Sequence, residues 1–226
     1  MGFEGEKQLL REQICHAAHN IAQSGFVAAN DGNLSARCPD GHILVTPTGI
    51  YKGDVTPELL LELTLEGEVV SGGPLGPSSE TPMHLALYRR WPDLGGVVHT
   101  HSPYALCMAN RGADLTLPIT ADMVLLLGNV PCLPYLPLGG DVLAQGVAQA
   151  AQDANAVLLA HHGAVTWGRD IQQAWYRTQA LEQYCRQLYL QLSLGGPIPV
   201  LSREEAEGLI ARRRASGVTR GGGYRA

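Results

Sequence analysis

The sequence predicts an α/β domain of three layers, α/β/α, built around a central, largely antiparallel sheet. Three observations carry this expectation. Helical and strand-like apolar patterns mix along the chain without the regular strand–helix–strand rhythm of a parallel sheet. Short strand candidates come in pairs across turn signals. Apolar segments recur over the whole of the 226 residues, 45% of them hydrophobic and 16% charged, with no break in composition that would divide the chain. One domain over 1–226 follows, with a glycine-rich tail from about 216.

The elements are read in order. Leu10, Ile14, Ala17, Ala18 and Ile21 recur at three- and four-residue spacing, giving a helix with one apolar face that ends near Gly25. "NLSARC" and "HILVT" are strands joined by the turn Pro39-Asp40-Gly41, and "TPTGIYKGD" is a loop. "LLLELT" and "EVV" flank a second turn at Glu66-Gly67, before the glycine- and proline-rich loop "SGGPLGPSS". Thr81 reads as an N-cap with Pro82 at the first helical position, and Leu85, Leu87 and Tyr88 carry that helix to Pro92. Next come the strand "VVHTHS", a helix near 102–110, a strand near 130–133 and a helix near 140–152. The strand "AVLLA" and a long helix from about Ile171 to Leu194 complete the series.

A net charge of −5 gives no global attraction to nucleic acid or to an anionic membrane, and Arg212, Arg213 and Arg214 read as a solvated helix face. No apolar run approaches the ~20 residues of a membrane span. The N-terminal stretch lacks the apolar core of a signal peptide. Five scattered cysteines without a C-x-x-C pair fit reduced thiols, so a cytoplasmic setting is expected.

Chemistry concentrates in a few positions. In "VVHTHS", side chains alternate between the faces of the strand, so His99 and His101 project to the same side about 6–7 Å apart, a spacing that admits a metal chelate or a hydrogen-bonded core pair. "AVLLAHHGAV" ends a second apolar strand in His161 and His162, before Gly163 allows a sharp turn. Three neutral imidazoles on strand ends can make an open zinc site, with ligand distances of about 2.0–2.2 Å, and the alternative is a polar strand end in solvent. His16, His19, His42 and His84 read as solvent-facing polar residues. Glu80 stands at a loop-to-helix junction beside Ser78 and Ser79. It is either a first-turn residue favoured by the helix dipole or, near a metal, a ligand and proton carrier. Lys7 and Lys52 are the two lysines; neither reads as a desolvated Schiff-base amine, which favours a metal as electron sink.

Taken together, "NDGNLSAR", "TPTG", "PSSETPMH", "VVHTHS" and "HHG", in this order over nearly the full chain, resemble the class II aldolase/adducin family. The resemblance implies Zn²⁺ held by His99, His101 and His162 with Glu80 as resting ligand and acid/base, and a phosphate cradle of Asn33, Thr48, Gly49, Ser78 and Ser79. It implies aldol cleavage of a ketose 1-phosphate to dihydroxyacetone phosphate and an aldehyde, in a homotetramer with active sites at subunit boundaries. A pentulose-phosphate 4-epimerase, a dehydratase and a decarboxylase are the alternative family reactions, and a non-catalytic interaction module like the adducin head is the alternative of another class. One departure stands out. Where the family's aldolases carry a tyrosine, this chain has Asp122, which reads as a substitute acid or as the cap of the following helix. Ser216 falls at the site of a second, tail tyrosine, with Tyr224 further along.

Overall fold

The computed structural model describes residues 3–113 and 115–218; the tail from 219, with Tyr224, lies outside the described residues. The chain opens with α1 (Phe3–Gln23), then β1 (Asn33–Arg37) and β2 (Ile43–Val45) across the Pro39–Gly41 turn. Short 3-10 turns at Lys52–Asp54 and Pro57–Leu59 lead to β3 (Leu61–Leu63) and β4 (Val69–Ser71). After α2 (Thr81–Arg90) come β5 (Gly96–Thr100), α3 (Pro103–Asn110), α4 (Ala121–Leu126), β6 (Cys132–Leu133) and α5 (Gly140–Ala150). The chain ends through β7 (Ala156–Leu159), β8 (Gly163–Gly168), α6 (Ile171–Leu194) and α7 (Arg203–Ala215).

The eight strands form one sheet in the order β4-β3-β2-β1-β5-β8-β7-β6. Every pairing is antiparallel except β6 with β7. Strand periodicity deals alternate side chains to two cores. Ile43, Val45, Val97, Val157, Leu159 and Val165 join Met83 and Leu87 of α2 and Leu143 and Val147 of α5 on one face. Leu44 and Val98 join Ile14, Ala18 and Ile21 of α1 and Ala174 of α6 on the other, where Leu158 and Ala164 meet α3 and the later part of α6. Burial on both faces explains why these antiparallel strands read as continuous apolar runs. Each buried Val, Leu, Ile or Met among them contributes about 1.5–3 kcal/mol relative to exposure. The three layers expected from sequence are therefore present.

Four details differ from the expectation. β8 is a strand the sequence reading does not include, and its conformation is imposed by pairing with both β5 and β7. Helix α2 begins at Thr81, so Glu80 and not Thr81 is the N-cap residue. Arg212 and Arg214 are exposed on α7, but Arg213 is buried and donates from Nη1 to the Val124 carbonyl at 3.2 Å, tying α7 to α4. Lys52 is also fully buried, with Nζ donating to the carbonyls of Ile50 at 2.7 Å and Asn30 at 3.2 Å. Burial lowers its pKa to about 8, so it is desolvated after all. Its amine is nonetheless held by two carbonyls. All five cysteines are free thiols, and among the described residues no helix is long and apolar enough to cross a membrane.

Candidate active site

Two strand ends bring three histidines together. Val97 and His99 lie on the α2/α5 face of β5, and His101 stands one residue past the strand. The pairing Thr100↔Ala164 lays the start of β8 against the end of β5, which delivers His162, the residue before β8, to the same place. The ring centroids of His99, His101 and His162 are 4.7–5.2 Å apart, and Nε2 of His99 is 3.1 Å from Nε2 of His101. The sharp turn assigned to Gly163 belongs to its neighbour. His161 adopts the left-handed conformation with φ 60°, its N–H held by Asn110 Oδ1 at 2.6 Å. Gly163 is already in β8, and a Cβ there would stand 2.4 Å from the Thr100 carbonyl oxygen and 2.9 Å from the His101 ring. It is glycine because the strands and rings close on it.

Glu80 completes the cluster. Its carboxylate makes no capping bond to α2. Oε1 lies 2.6 Å from His162 Nε2, Oε2 lies 3.2 Å from His99 Nε2, and Asn33 Nδ2 donates to Oε2 at 2.9 Å. Burial pushes this carboxyl up, but His99 and His162 outweigh it and hold it well below the ordinary carboxylate range. Burial, with His99 and His162 adding repulsion, lowers His101 to about 4, so this ring is neutral at pH 7. The dipole-favoured first-turn role is thus not what fixes Glu80; its oxygens are aimed into the imidazoles.

The remaining sequence candidates sort by position. Asn33 opens β1 opposite His99, and its Nδ2 is also 3.4 Å from Ser78 Oγ, which accepts the Glu80 N–H at 3.3 Å. A bridge between Pro47 and Pro77, and a 2.9 Å bond from the Thr48 N–H to the Gly76 carbonyl, set the loop of Thr48 and Gly49 beside the loop of Ser78 and Ser79. Thr48, Gly49 and Ser79 are exposed there. Asp122 is not brought to this cluster within one chain. It is exposed in the first turn of α4, and Thr120 occupies the cap position, so the capping alternative does not hold either.

Three residues near the site were not singled out for it. Asp31, inside the "NDGN" string, places Oδ2 3.3 Å from His101 Nδ1. Lys52 bonds the carbonyl of the preceding residue, Asn30. His84, expected in solvent, is 2% exposed on α2, with Nδ1 2.7 Å from Ser35 Oγ, and burial lowers its pKa to about 3. Of the other three, His42 lies in an ion cluster with Asp40 and Glu62, and His19 Nε2 contacts the Val55 carbonyl at 2.8 Å. His16 is exposed as expected.

The donor set can hold a divalent cation. Ring nitrogens of His99, His101 and His162 lie within 4.8 Å of one another. Two nitrogens on a tetrahedral zinc at about 2.05 Å stand about 3.3 Å apart, close to the separation of the His99 and His101 Nε2 atoms. His162 Nδ1 is buried without a partner, and among the described residues the ion-pair partners of Glu80 are imidazoles, with Asn33 as a neutral donor.

Known proteins resemble this chain over most of its length. The family described as Class II Aldolase and Adducin N-terminal domain matches residues 12–189. The 3-oxo-tetronate 4-phosphate decarboxylase of Escherichia coli O6:H1 (strain CFT073) is 38% identical over 192 residues, covering 83% of this chain and 90% of that protein. The 5-deoxy-D-ribulose 1-phosphate aldolase of Bacillus thuringiensis serovar kurstaki is 34% identical over 204 residues, covering 89% and 94%. Among solved structures, YgbL from Escherichia coli, its reaction left open among aldolase, epimerase and decarboxylase, superimposes with a TM-score of 0.84 at 35% identity, covering 90% of this chain and 99% of that one.

Proposed function

This chain belongs to the class II aldolase and adducin family, and from that premise we propose that it is a metal-dependent lyase that releases dihydroxyacetone phosphate from a phosphorylated C4 3-oxo acid, with loss of carbon dioxide. The observation that carries a lyase is the convergence of His99, His101, His162 and Glu80. A 3-oxo-tetronate 4-phosphate and a ketose 1-phosphate present the same problem. In each, the bond broken is to the carbon beside a ketone, and the charge left behind spreads onto the ketone oxygen. Each yields the same three-carbon phosphate once a proton reaches that carbon. The reactions differ in the other fragment, carbon dioxide or an aldehyde.

His99, His101 and His162 would hold the cation, for which we propose Zn²⁺ from the all-imidazole donor set. When bound, the ion supplies a Lewis acid for the ketone oxygen. Glu80, fixed by Asn33 and adjacent to two of the rings, is the group placed to exchange the proton at carbon. Asn33, Ser78 and Ser79 with Thr48 and Gly49 form the phosphate cradle of this reading, from amide, hydroxyl and backbone N–H donors that need no basic surface. Decarboxylation is favoured because carbon dioxide leaves without a proton transfer at its oxygen, whereas aldol cleavage must also move a proton at the aldehyde oxygen. Asp122, the residue in the tyrosine position, is exposed away from the cluster.

Retro-aldol cleavage is the second reading, favoured by the 34% identity to the 5-deoxyribulose-phosphate aldolase. It would require a neighbouring subunit to bring an acid to the site, which fits a homotetramer with interfacial sites. The exposed apolar side chains of Tyr135, Leu138 and Val142 offer a face for such a contact. The deciding experiment incubates zinc-loaded protein with a 3-oxo-tetronate 4-phosphate and with a panel of ketose 1-phosphates, following dihydroxyacetone phosphate, carbon dioxide and aldehyde together. Chelator-sensitive release of carbon dioxide with the triose phosphate is expected. Aldehyde release would replace the first reading with the second, and no turnover of either substrate class with zinc bound would overturn both.

A further inference from the structure

Each imidazole at the site has two ring nitrogens, and a partner on the second one fixes which of them faces an ion. The accounting differs from ring to ring. His99 is fully buried, and its Nδ1 faces the Ala164 carbonyl at 3.0 Å, which fixes the tautomer with Nε2 free for an ion. His162 has no partner on Nδ1, and its position is set by the tight β7–β8 connection that carries it. His101 lies past the end of β5 with its side chain 25% exposed, the most exposed of the three, and among the described residues no backbone carbonyl meets its Nδ1. What faces that nitrogen is the Asp31 carboxylate, 3.3 Å away.

The Asp31 loop is built to stand there. Ala29 is left-handed with φ 47°, and the Asp31 N–H returns to the Ala28 carbonyl at 2.9 Å. Gly32 is left-handed too, and a Cβ on it would meet the His99 carbonyl oxygen at 2.8 Å, so the loop presses directly on the strand that carries the histidines. From below, buried Lys52 donates to the Asn30 carbonyl. The backbone on each side of Asp31 is thereby tied to the site, although Asp31 itself reaches solvent with 41% of its side chain exposed.

We propose that Asp31 is the positioning residue for His101: its carboxylate accepts a hydrogen bond from the Nδ1–H, holds the ring in the tautomer that presents Nε2, and raises the basicity of that nitrogen toward the cation. This rests on His101 being a metal ligand, as proposed above. A carboxylate–histidine–metal relay of this kind tunes affinity by about 10–100-fold.

The experiment measures Zn²⁺ affinity by chelator competition in the wild type, in Asp31→Ala and Asp31→Asn, in His101→Ala, and in the double variant Asp31→Ala/His101→Ala, alongside the melting temperature of each metal-free protein. Asp31→Ala is expected to weaken Zn²⁺ about 10–100-fold, with Asp31→Asn, which keeps an acceptor without the charge, in between. Metal-free melting temperatures should be unchanged by the Asp31 substitutions. In the His101→Ala background, removing Asp31 should change affinity no further. Two results would overturn the assignment: wild-type affinity in Asp31→Ala while His101→Ala weakens binding, or an equal loss from Asp31→Ala with and without His101. Failure of the metal reading itself has a different signature, namely no stoichiometric Zn²⁺ in the wild type or no effect of His101→Ala.

Discussion

Among the described residues, two clusters place three potential ligands within reach of one ion, and they differ in what already neutralises their carboxylates. At one, His99, His101 and His162 converge beside Glu80; at the other, Asp40, His42 and Glu62 converge on the β2–β3 side of the sheet. The second cluster already holds its cation: Lys7 Nζ is 2.6 Å from Asp40 Oδ2 and 2.6 Å from Glu62 Oε1, and Arg11 approaches Glu62 at 3.6 Å. In the first, among the described residues, Glu80 meets no ammonium or guanidinium. Proximity of donors therefore does not define a metal site. What distinguishes the two is whether the negative charge is already neutralised by ammonium and guanidinium groups.

The largest effect expected from breaking this contrast is at a ligand. His99→Ala should remove stoichiometric Zn²⁺ and take turnover to background, whereas His42→Ala should leave metal content and turnover near wild type. Metal analysis of the two purified variants checks this, and equal metal loss in both would erase the distinction. Glu80→Gln separates the roles within the first cluster. It should retain the ion while lowering kcat by about 10²–10⁴-fold, the range for loss of a general acid or base.

Next comes the packing that makes the first cluster possible. Gly163→Ala puts a methyl group 2.4 Å from the Thr100 carbonyl oxygen, a backbone atom that cannot swing aside. The β5–β8 junction must then open, at a cost of about 3 kcal/mol by analogy with overpacked cores, and His162 moves from His99. Denaturant midpoints together with Zn²⁺ affinity test it; a variant with native stability and affinity would show that the junction has slack.

How much of this was legible in the sequence follows the same divide between local and non-local causes. The layers and most elements were readable, because periodicity and turn chemistry are local: α1 shows its apolar stripe, and β1–β2 shows its Pro-Asp-Gly turn. β8 was not readable, since "GAVTWG" carries no strand alternation that survives burial on both faces, and only its two neighbours define it. At the site, His99 and His101 could be paired from alternation alone, and the choice of His162 over His161 came from family resemblance. Asp31 and Lys52 escaped because their meaning depends on what the tertiary fold sets against them. Asp31 matters through a ring some 70 residues away, and Lys52 is desolvated by the packing of α1 over the Lys52–Asp54 turn.

Lys52 gives the next prediction, since its amine is buried with carbonyls as its hydrogen-bond partners, unlike Lys7 among carboxylates. Its folded pKa of about 8 lies below the ordinary 10.5, so between those values the unfolded chain binds more protons than the folded one. The cost of burying the charge is complete below about pH 8 and is relieved as pH rises toward 10.5. Relative to Lys52→Met, wild-type stability should therefore rise across that window, by on the order of 2 kcal/mol. Urea unfolding of both proteins from pH 7 to 10.5 reads this difference, and a flat one would mean that water reaches the amine.

The smallest effect is expected at the second cluster, and its pH dependence identifies its cause. The Lys7 hydrogen bond holds Asp40 below the ordinary 3.8. For Glu62, burial alone would raise the carboxyl, but the bond and charge of Lys7 outweigh it and hold the group below 4.5. Carboxyls depressed in the folded state contribute stability that is complete above their ordinary values and lost as pH falls through the depressed ones. These groups are partly solvated and screened, so Lys7→Met should cost only about 1 kcal/mol at pH 7. That difference should shrink below about pH 4.5, as both carboxyls take up protons and the ammonium loses its partners. A difference that persists at pH 3 would assign the effect to the packed alkyl chain of Lys7 and not to its charge. The second cluster would then be a hydrophobic clasp with charged ends, and the contrast with the histidine site would rest on that site's chemistry alone.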